Sequence, residues 1–189
     1  MKKILKYILI ILGVVLVDQI IKWIVLNTFV RIAYHSMYAD APFIGDKWDI
    51  IPHPMIPNVD AAHHVTNFFN LVFTWNPGTS FSLFQALGES APFIIIVATA
   101  FVIGFVLYYL FMRAADFERL PLALIAGGAL GNLIDRVRYG AVVDFLDFHI
   151  GGYHWPAFNI ADTFICIGVA LYILNWFLAR RRCMCANKQ

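Results

Sequence analysis

Four long apolar runs constrain this chain more than any other feature of its sequence. They lie at about residues 4–26, 91–112, 120–136 and 157–178. A helix needs about 20 predominantly apolar residues to cross a bilayer. Hydrophobic residues make up 61% of the chain and charged residues 14%, whereas a soluble domain is nearer half apolar and about a quarter charged. The sequence therefore predicts an all-α membrane protein, with four transmembrane helices in one integral membrane domain over residues 1–189.

Basic residues indicate how the four runs are oriented. Lysines and arginines cluster before the first run, between the second and third, and after the fourth. The long connection between the first and second runs carries only Arg31 and Lys47. Because positive residues favour the cytoplasmic side, we expect both termini in the cytoplasm. The two polar connections, at about 30–90 and 137–156, would then face outward.

The connection after the first run divides into two parts. Residues 31–62 contain four prolines and are predicted to form an irregular loop. Residues 65–75 (VTNFFNLVFTW) are rich in β-branched and aromatic side chains, which is typical of one or two strands. The extracytoplasmic segment at about 31–90 is therefore predicted to contain a small β-sheet lying on the membrane surface.

The polar residues of the apolar runs lie at one predicted depth. At a rise of about 1.5 Å per residue, Asp18 and Lys22 fall in the outer third of the first run, and Asp162 falls near the outer end of the fourth. Ionisable groups at membrane depth are costly and mostly face a cavity or a partner. Their common level therefore predicts a site just beneath the outer surface. The remaining members lie at or beyond the outward end of the third run: Asn132, Asp135, Arg136 and Asp144.

The residue types at this level favour carboxylate chemistry. The chain has no G-x-S-x-G motif for a serine nucleophile and no H-E-x-x-H motif for zinc, so neither a metal nor a cofactor is expected. Two facing aspartates share one proton: the ionised one activates water and the neutral one donates to a carbonyl oxygen. Asp144 and Asp162 are the candidates. Asp147 is an alternative to Asp144, because it would share the same face if this segment were helical.

Each charged residue also has a structural interpretation. Asp18 and Lys22 are four residues apart and could form an intrahelical pair. Asp162 could be a carboxylate at a helix N-terminus, where the helix dipole favours it. Asp135 is interpreted mainly as an anchor of the third run. Arg136 could meet lipid phosphate at the end of the third run, but it is interpreted as a substrate contact, because guanidinium binds phosphate or carbonyl oxygens well.

Five motifs resemble those of one family, the bacterial lipoprotein signal peptidases, in the same order and over residues 4–178. The motifs are Asp18-Gln19 with Lys22, NPGTSFS (76–82), GNLIDR (131–136), VVDF (142–145) and FNIAD (158–162). The resemblance implies a four-span membrane aspartic endopeptidase, signal peptidase II, with an outward β-cradle. It implies removal of the signal peptide from a diacylglyceryl-modified prolipoprotein, on the amino side of the lipidated cysteine, in the bacterial cytoplasmic membrane.

The same resemblance assigns expected roles to individual positions. Asp144 and Asp162 match the catalytic dyad. The implied partners are the prolipoprotein with its diacylglyceryl-cysteine, membrane lipid and globomycin-type inhibitors. The chain departs from the family pattern at residues 31–62, which include an insertion, and at Ser80, where alanine is usual. Site-shaping or substrate positions are matched by Asn76, Gly78, Asn132, Arg136 and Asn159, and supporting polar positions by Asp18, Lys22 and Asp135.

Functions of other classes stay open on the residues alone. A small proton-coupled membrane transporter would need polar residues at several depths, and the cytoplasmic half shows essentially none. A non-enzymatic membrane assembly factor that used the outer sheet would tolerate Asp144→Asn. Nucleic acid binding has no support, because the formal net charge is only +2 and no basic stripe interleaves with aromatic residues.

Overall fold

The protein is described by a computed structural model over residues 2–30, 59–78 and 90–186. Four helices in these ranges are long and apolar enough to cross a membrane, so the predicted four-helix fold is confirmed. Nearly all of the predicted loop at 31–62, and Ser80, lie outside the described residues. The helices are α1 (Lys2–Val25), α2 (Ala91–Met112), α3 (Asp116–Tyr139) and α4 (Ile160–Ala186).

Helix α3 is longer at both ends than its apolar run. It contains Pro121, which has no N–H to donate to the carbonyl of Phe117 one turn earlier. The side chain of Asn175 on α4 donates to that carbonyl instead, at 2.7 Å. The helix ends at Gly140, which adopts the left-handed conformation at φ 76° that favours glycine as a helix terminator.

Four antiparallel strands form one sheet in the order β1-β2-β3-β4. Strands β1 (Val59–Thr66) and β2 (Phe69–Asn76) form a hairpin. Strand β2 lies almost wholly in the segment at 65–75 that predicts one or two strands, whereas β1 begins before it, in the part predicted as an irregular loop. Strands β3 (Val142–Ile150) and β4 (Tyr153–His154) come from the connection between α3 and α4. The predicted sheet is therefore confirmed. It has four strands, because the connection between α3 and α4 adds two to the two strands of the first connection.

The helical alternative for residues 144–147 is wrong, because these residues lie in β3. The sequence VVDFLDFHI is rich in β-branched and aromatic residues, which favour strands. Successive side chains of a strand point to opposite faces, so Asp144 and Asp147 lie on different faces of the sheet. Asp144 sits opposite Thr74, and Asp147 sits opposite Asn70, in the pairing with β2.

Helix α3 is the centre of the bundle and packs against α1, α2 and α4. Two glycines allow the closest approaches: Gly127 faces Val14 on α1, and Gly128 faces the backbone carbonyl of Ala161 on α4. Small residues let membrane helices pack this closely. A hydrophobic core joins the sheet to the end of α1, where Phe73, Trp75 and Val143 pack near Val25. The C-terminal end of α1 is thereby fixed against the sheet.

Candidate active site

Asn159 and Asp162 form a reciprocal pair at the start of α4. The Oδ1 atom of Asn159 accepts a hydrogen bond from the backbone N–H of Asp162 at 3.0 Å. The Oδ2 atom of Asp162 accepts one from the backbone N–H of Asn159 at 3.2 Å. This arrangement is a capping box, which satisfies two of the N–H groups that a helix leaves unpaired at its N-terminus. It holds the Asp162 carboxylate beside its own helix end.

Asp144 lies on β3, facing the start of α4. Its Oδ1 atom accepts a hydrogen bond from Asn159 Nδ2 at 2.7 Å, and its Oδ2 atom accepts one from Asn76 Nδ2 at 2.9 Å. The side chain is only 2% exposed. Burial raises the pKa of Asp144 to about 7, and the nearby negative charge of Asp162 adds to this, while the amide hydrogen bonds oppose it. Asp144 therefore gains and loses a proton near neutral pH.

Asn132 on α3 connects the two carboxylates to the interior of the bundle. Its Nδ2 atom donates to Asp162 Oδ1 at 2.8 Å. Its Oδ1 atom accepts from Lys22 Nζ at 2.9 Å and from Asn159 Nδ2 at 3.1 Å. Together with the bonds from Asn76 and Asn159, this gives each of the four carboxylate oxygens of Asp144 and Asp162 a hydrogen-bond donor.

A buried charge cluster lies beneath these residues. Lys22 Nζ lies 3.0 Å from Asp18 Oδ2 and 2.7 Å from Asp135 Oδ2, and all three side chains are at most 2% exposed. Asp18 also accepts from the backbone N–H of Ala161 at 2.9 Å, and Asp135 from that of Val143 at 3.2 Å. The two carboxylates therefore join α1 and α3 to α4 and β3.

The cluster includes Gln19, to which the sequence analysis assigned no role of its own. Its Nε2 atom lies 2.9 Å from Asp135 Oδ1 and 3.2 Å from Asp18 Oδ2. The contacts of Gln19 could not be predicted from the sequence, because they depend on how α1 crosses α3. Apart from Asp18, its partners are more than a hundred residues away in sequence. The intrahelical pair of Asp18 and Lys22 is present, but it is one part of a larger network.

Arg136 and Gly78 lie beside the two carboxylates. The charges of Asp162, Asp144 and Asp135 act on the Arg136 guanidinium. Arg136 Nε is buried and has no hydrogen-bond partner among the described residues. Gly78 has φ 74°, and its backbone N–H donates to Asn76 Oδ1 at 2.9 Å. A Cβ atom at Gly78 would lie 3.7 Å from Arg136 Nη2, so the guanidinium passes close to this turn.

Asp147 belongs to a different cluster on the other face of β3. It accepts hydrogen bonds from Asn70 Nδ2 at 2.9 Å and from His154 Nδ1 at 2.9 Å. Burial favours the neutral form of Asp147, but these two hydrogen bonds together with the charges of His154 and His149 lower the pKa of the carboxyl. No candidate site residue makes a hydrogen bond with Asp147 among the described residues, so it does not replace Asp144 in the site.

Comparisons with known proteins show which family the chain matches. The model of the Peptidase_A8 family, described as Signal peptidase (SPase) II, matches residues 10–178. A lipoprotein signal peptidase of Janthinobacterium sp. (strain Marseille) is 53% identical over 118 residues, which are 60% of this chain and 70% of that protein. One of Polynucleobacter necessarius subsp. necessarius (strain STIR1) is 39% identical over 171 residues, 89% of this chain and 87% of that protein.

A solved structure agrees with these relatives. It is described as a bacterial membrane enzyme determined by the in meso method at 1.9 Å resolution, and it superposes with a TM-score of 0.59 at 31% identity. The match covers 89% of this chain and 90% of that one. The transporter and assembly-factor alternatives are not favoured by these matches. The fold, the four apolar helices and the family match together make this chain a multi-pass membrane protease that belongs to the signal peptidase II family.

Proposed function

We propose that this protein removes the signal peptide of lipid-modified prolipoproteins, with Asp144 and Asp162 as its catalytic dyad. The main support is the position of Asn159, which hydrogen-bonds to both carboxylates, at 2.7 Å to Asp144 and 3.2 Å to Asp162. Two carboxyl groups that both hydrogen-bond to one residue are close enough to repel one another when both are ionised. We therefore expect them to hold one proton between them. Such a dyad hydrolyses a peptide without a metal.

The surroundings of the two carboxyl groups suggest different roles. Asp162 lies in the first turn of α4, where the helix dipole stabilises a negative charge, and it receives bonds from Asn132 and from backbone N–H. We assign it as the ionised base that takes a proton from water. Asp144 is more deeply buried, and because its pKa is raised to about 7 it keeps its proton at lower pH. We assign it as the acid that gives its proton to the oxygen of the scissile carbonyl.

Peptide cleavage then follows in two steps. Water adds its oxygen to the carbonyl carbon as Asp162 takes one of its protons and Asp144 protonates the carbonyl oxygen. The resulting tetrahedral diol collapses when Asp162 passes its proton to the amide nitrogen, one diol hydroxyl returns a proton to Asp144, and the C–N bond breaks. The products are the signal peptide with a new carboxylate and the lipoprotein with a new amino group, and the dyad keeps one proton throughout.

The proposed substrate carries diacylglyceryl on the cysteine that follows the scissile bond. This finer assignment rests on the names of the relatives and on the resemblance of the five motifs. The Arg136 guanidinium suits the contact with the substrate, because its buried Nε has no hydrogen-bond partner within residues 2–30, 59–78 and 90–186 and guanidinium binds carbonyl oxygens well. The lipid would enter from the bilayer between the helices. Globomycin-type inhibitors would compete for the same space.

Orientation in the membrane is part of the proposal. The basic residues before α1, between α2 and α3, and in the last turns of α4 favour the cytoplasm under the positive-inside rule. Both termini would then be cytoplasmic, and the sheet with Asp144 would lie on the outer side. The site would sit near the outer surface of the bacterial inner membrane, where water is available.

The test compares three isosteric substitutions in purified protein. Asp144→Asn and Asp162→Asn should each lower turnover of a diacylglyceryl-modified prolipoprotein by about 10²- to 10⁴-fold, the contribution of a general acid or base. Asp147→Asn is the matched control, because it changes the same residue type on the same strand but on the opposite face. It should keep turnover near wild type. Cleavage is followed by mass spectrometry in detergent, with and without globomycin.

Two outcomes would contradict the proposal. One is near-normal turnover in either Asp144→Asn or Asp162→Asn when the variant is as stable as the wild type. The other is a loss in Asp147→Asn as large as that in Asp144→Asn, which would mean that any change in β3 inactivates the protein.

A further inference from the structure

The buried ammonium of Lys22 makes three polar contacts, and only two of them balance its charge. Asp18 and Asp135 supply the two carboxylates, and the third contact is the Asn132 carbonyl oxygen at 2.9 Å. An ammonium has three N–H donors and no acceptor, so the three contacts use all of its hydrogens. Lys22 is 2% exposed and has no hydrogen left for a substrate. Its charge acts at a distance on Asp144, but its one hydrogen bond to an amide beside the dyad is to Asn132.

The two ends of the Asn132 amide have nearly the same shape, so its partners decide which way it points. In the observed orientation, Oδ1 faces two donors, on Lys22 and Asn159, and Nδ2 faces the Asp162 carboxylate. The reversed orientation would set an NH2 group against both donors. It would also set a carbonyl oxygen against the carboxylate. All three hydrogen bonds would be lost.

The other two asparagines of the site are oriented in the same way, but by backbone. Gly78 N–H donates to Asn76 Oδ1, and Asp162 N–H donates to Asn159 Oδ1. A backbone N–H can only donate, so each amide is left with its NH2 group toward an aspartate. Among the three amides, only that of Asn132 has an orienting donor on a side chain that a substitution can remove.

We infer that Lys22 is a positioning residue that fixes the Asn132 amide with its NH2 group toward Asp162. The inference rests on the proposed function, because it supposes that Asp162 acts as the ionised base. Other charges near Asp162 are those of Asp144 on β3 and Arg136 on α3. Neither contacts Asn132 by a hydrogen bond among the described residues, so the orientation of this amide depends on Lys22 and Asn159.

A double-mutant cycle separates positioning from simple structural support. Lys22→Met and Asn132→Ala should each lower kcat by roughly 10- to 150-fold, as expected for one hydrogen bond to a charged group, with KM changed little. In the Asn132→Ala background, Lys22→Met should lower kcat no further. If the two losses multiply instead, Lys22 does not act through Asn132 and the inference is wrong.

Gln19→Met is the matched control for the loss of buried pairing. Gln19 contacts Asp18 and Asp135, as Lys22 does, but it makes no hydrogen bond to Asn132. Its substitution should lower the midpoint of thermal unfolding and should lower kcat much less than Lys22→Met does. A kcat loss in Gln19→Met equal to that in Lys22→Met would show that disturbing the cluster is sufficient, and would overturn the positioning role.

If Lys22→Met does not fold, Asn132→Asp tests whether turnover needs the hydrogen bond from Asn132 to Asp162. The new carboxylate keeps an acceptor for Lys22, so the protein should stay folded, but an ionised carboxylate has no hydrogen to donate to Asp162. Turnover should fall at least as far as in Asn132→Ala. Wild-type turnover in Asn132→Asp together with an inactive Asp162→Asn would sink this inference alone, whereas an active Asp162→Asn would sink the proposed function itself.

Discussion

Asn159 and Asp162 hydrogen-bond to each other twice, side chain to backbone in both directions. The same Asn159 amide also donates to Asp144 at 2.7 Å. One residue thus begins helix α4 and holds the two carboxylates of the candidate dyad in one place. The Asn159 side chain therefore has two roles that use different atoms. Its Oδ1 atom caps the helix, and its Nδ2 atom donates to Asp144.

Two substitutions of Asn159 separate these uses. Asn159→Ser keeps an oxygen that accepts from the helix N-terminus, whereas Asn159→Ala removes it, which costs about 1 kcal/mol of stability. Both remove the donor to Asp144, so both should lower turnover by roughly 10- to 150-fold. Thermal unfolding in detergent and turnover of the lipidated substrate measure the two effects. Equal destabilisation of the two variants, or wild-type turnover in Asn159→Ser, would contradict this division.

The pKa of Asp144 sets a pH dependence for turnover. Burial raises this pKa to about 7, so the proton that the acid must deliver is present below that pH and is lost above it. Turnover should therefore decline as the pH rises through about 7. A pH–rate profile between about pH 5 and 9 measures this decline, and its midpoint belongs to the coupled dyad rather than to one residue.

Asn76→Ala should move that decline to higher pH. The hydrogen bond from Asn76 favours the ionised form of Asp144 and so lowers its pKa; without it the carboxyl keeps its proton longer. Asn70→Ala is the matched control, because it removes the corresponding amide from Asp147 on the other face of the same strand. It should leave the midpoint in place. A midpoint that moves equally in both variants would argue against Asp144 as the titrating acid.

The sequence predicts the membrane helices and the depth of the polar residues because both follow from local composition. Asp18 and Lys22 are one helical turn apart, so their pairing can be expected from spacing alone. Their contacts with Asp135 and Ala161 cannot, since these depend on how α1 crosses α3 and α4. The resemblance named candidate residues, but it gave no direction for any hydrogen bond.

Strand β3 illustrates a second limit. Its sequence, VVDFLDFHI, is a short apolar run, and such runs do not separate a strand from a buried helical segment by periodicity. Pairing with β2, which is far away in sequence, decides the matter. Once β3 is a strand, Asp144 and Asp147 face opposite sides. Topology then places Asp144, and not Asp147, on the face that holds Asn76 and Asn159, which supports Asp144 as the proposed member of the dyad.

Close packing between α3 and α4 is a further testable feature. A Cβ atom at Gly128 would collide with the backbone carbonyl of Ala161, the residue before Asp162. Gly128→Ala should therefore push the helix ends apart, lower stability by about 1–3 kcal/mol, the usual cost of overpacking, and reduce turnover. Thermal unfolding in detergent measures the first effect and a cleavage assay the second.

Gly13→Ala is the comparison for Gly128→Ala. Gly13 also lies within a membrane helix, α1, but a Cβ atom there meets none of the described residues within 4 Å. Its substitution should change stability by no more than about 0.5 kcal/mol and leave turnover unchanged. Equal tolerance of alanine at both positions would mean that α3 and α4 do not need their close approach.

Gly78 should be more important for turnover than for stability. Its φ of 74° lies in the left-handed region, and a Cβ atom there would lie 3.3 Å from Ile95 and 3.7 Å from Arg136 Nη2. Gly78→Ala would cost about 1–2 kcal/mol in the backbone. It would also shift the N–H that orients Asn76 and press against Ile95. Turnover should fall by more than about tenfold, since that factor needs only about 1.4 kcal/mol in the transition state.

Gly140→Ala isolates the backbone part of this effect. Gly140 has nearly the same conformation, φ 76°, and ends α3. In the part of the chain that the structure describes, a Cβ atom at Gly140 has no neighbour within 4 Å. Alanine should cost a similar amount of stability at both positions, because both need the left-handed conformation. Only Gly78→Ala should also lose turnover, because only Gly78 lies beside Asn76 and Arg136. If turnover falls equally in both variants, strain alone explains the loss, and the turn at Gly78 has no specific part in the site.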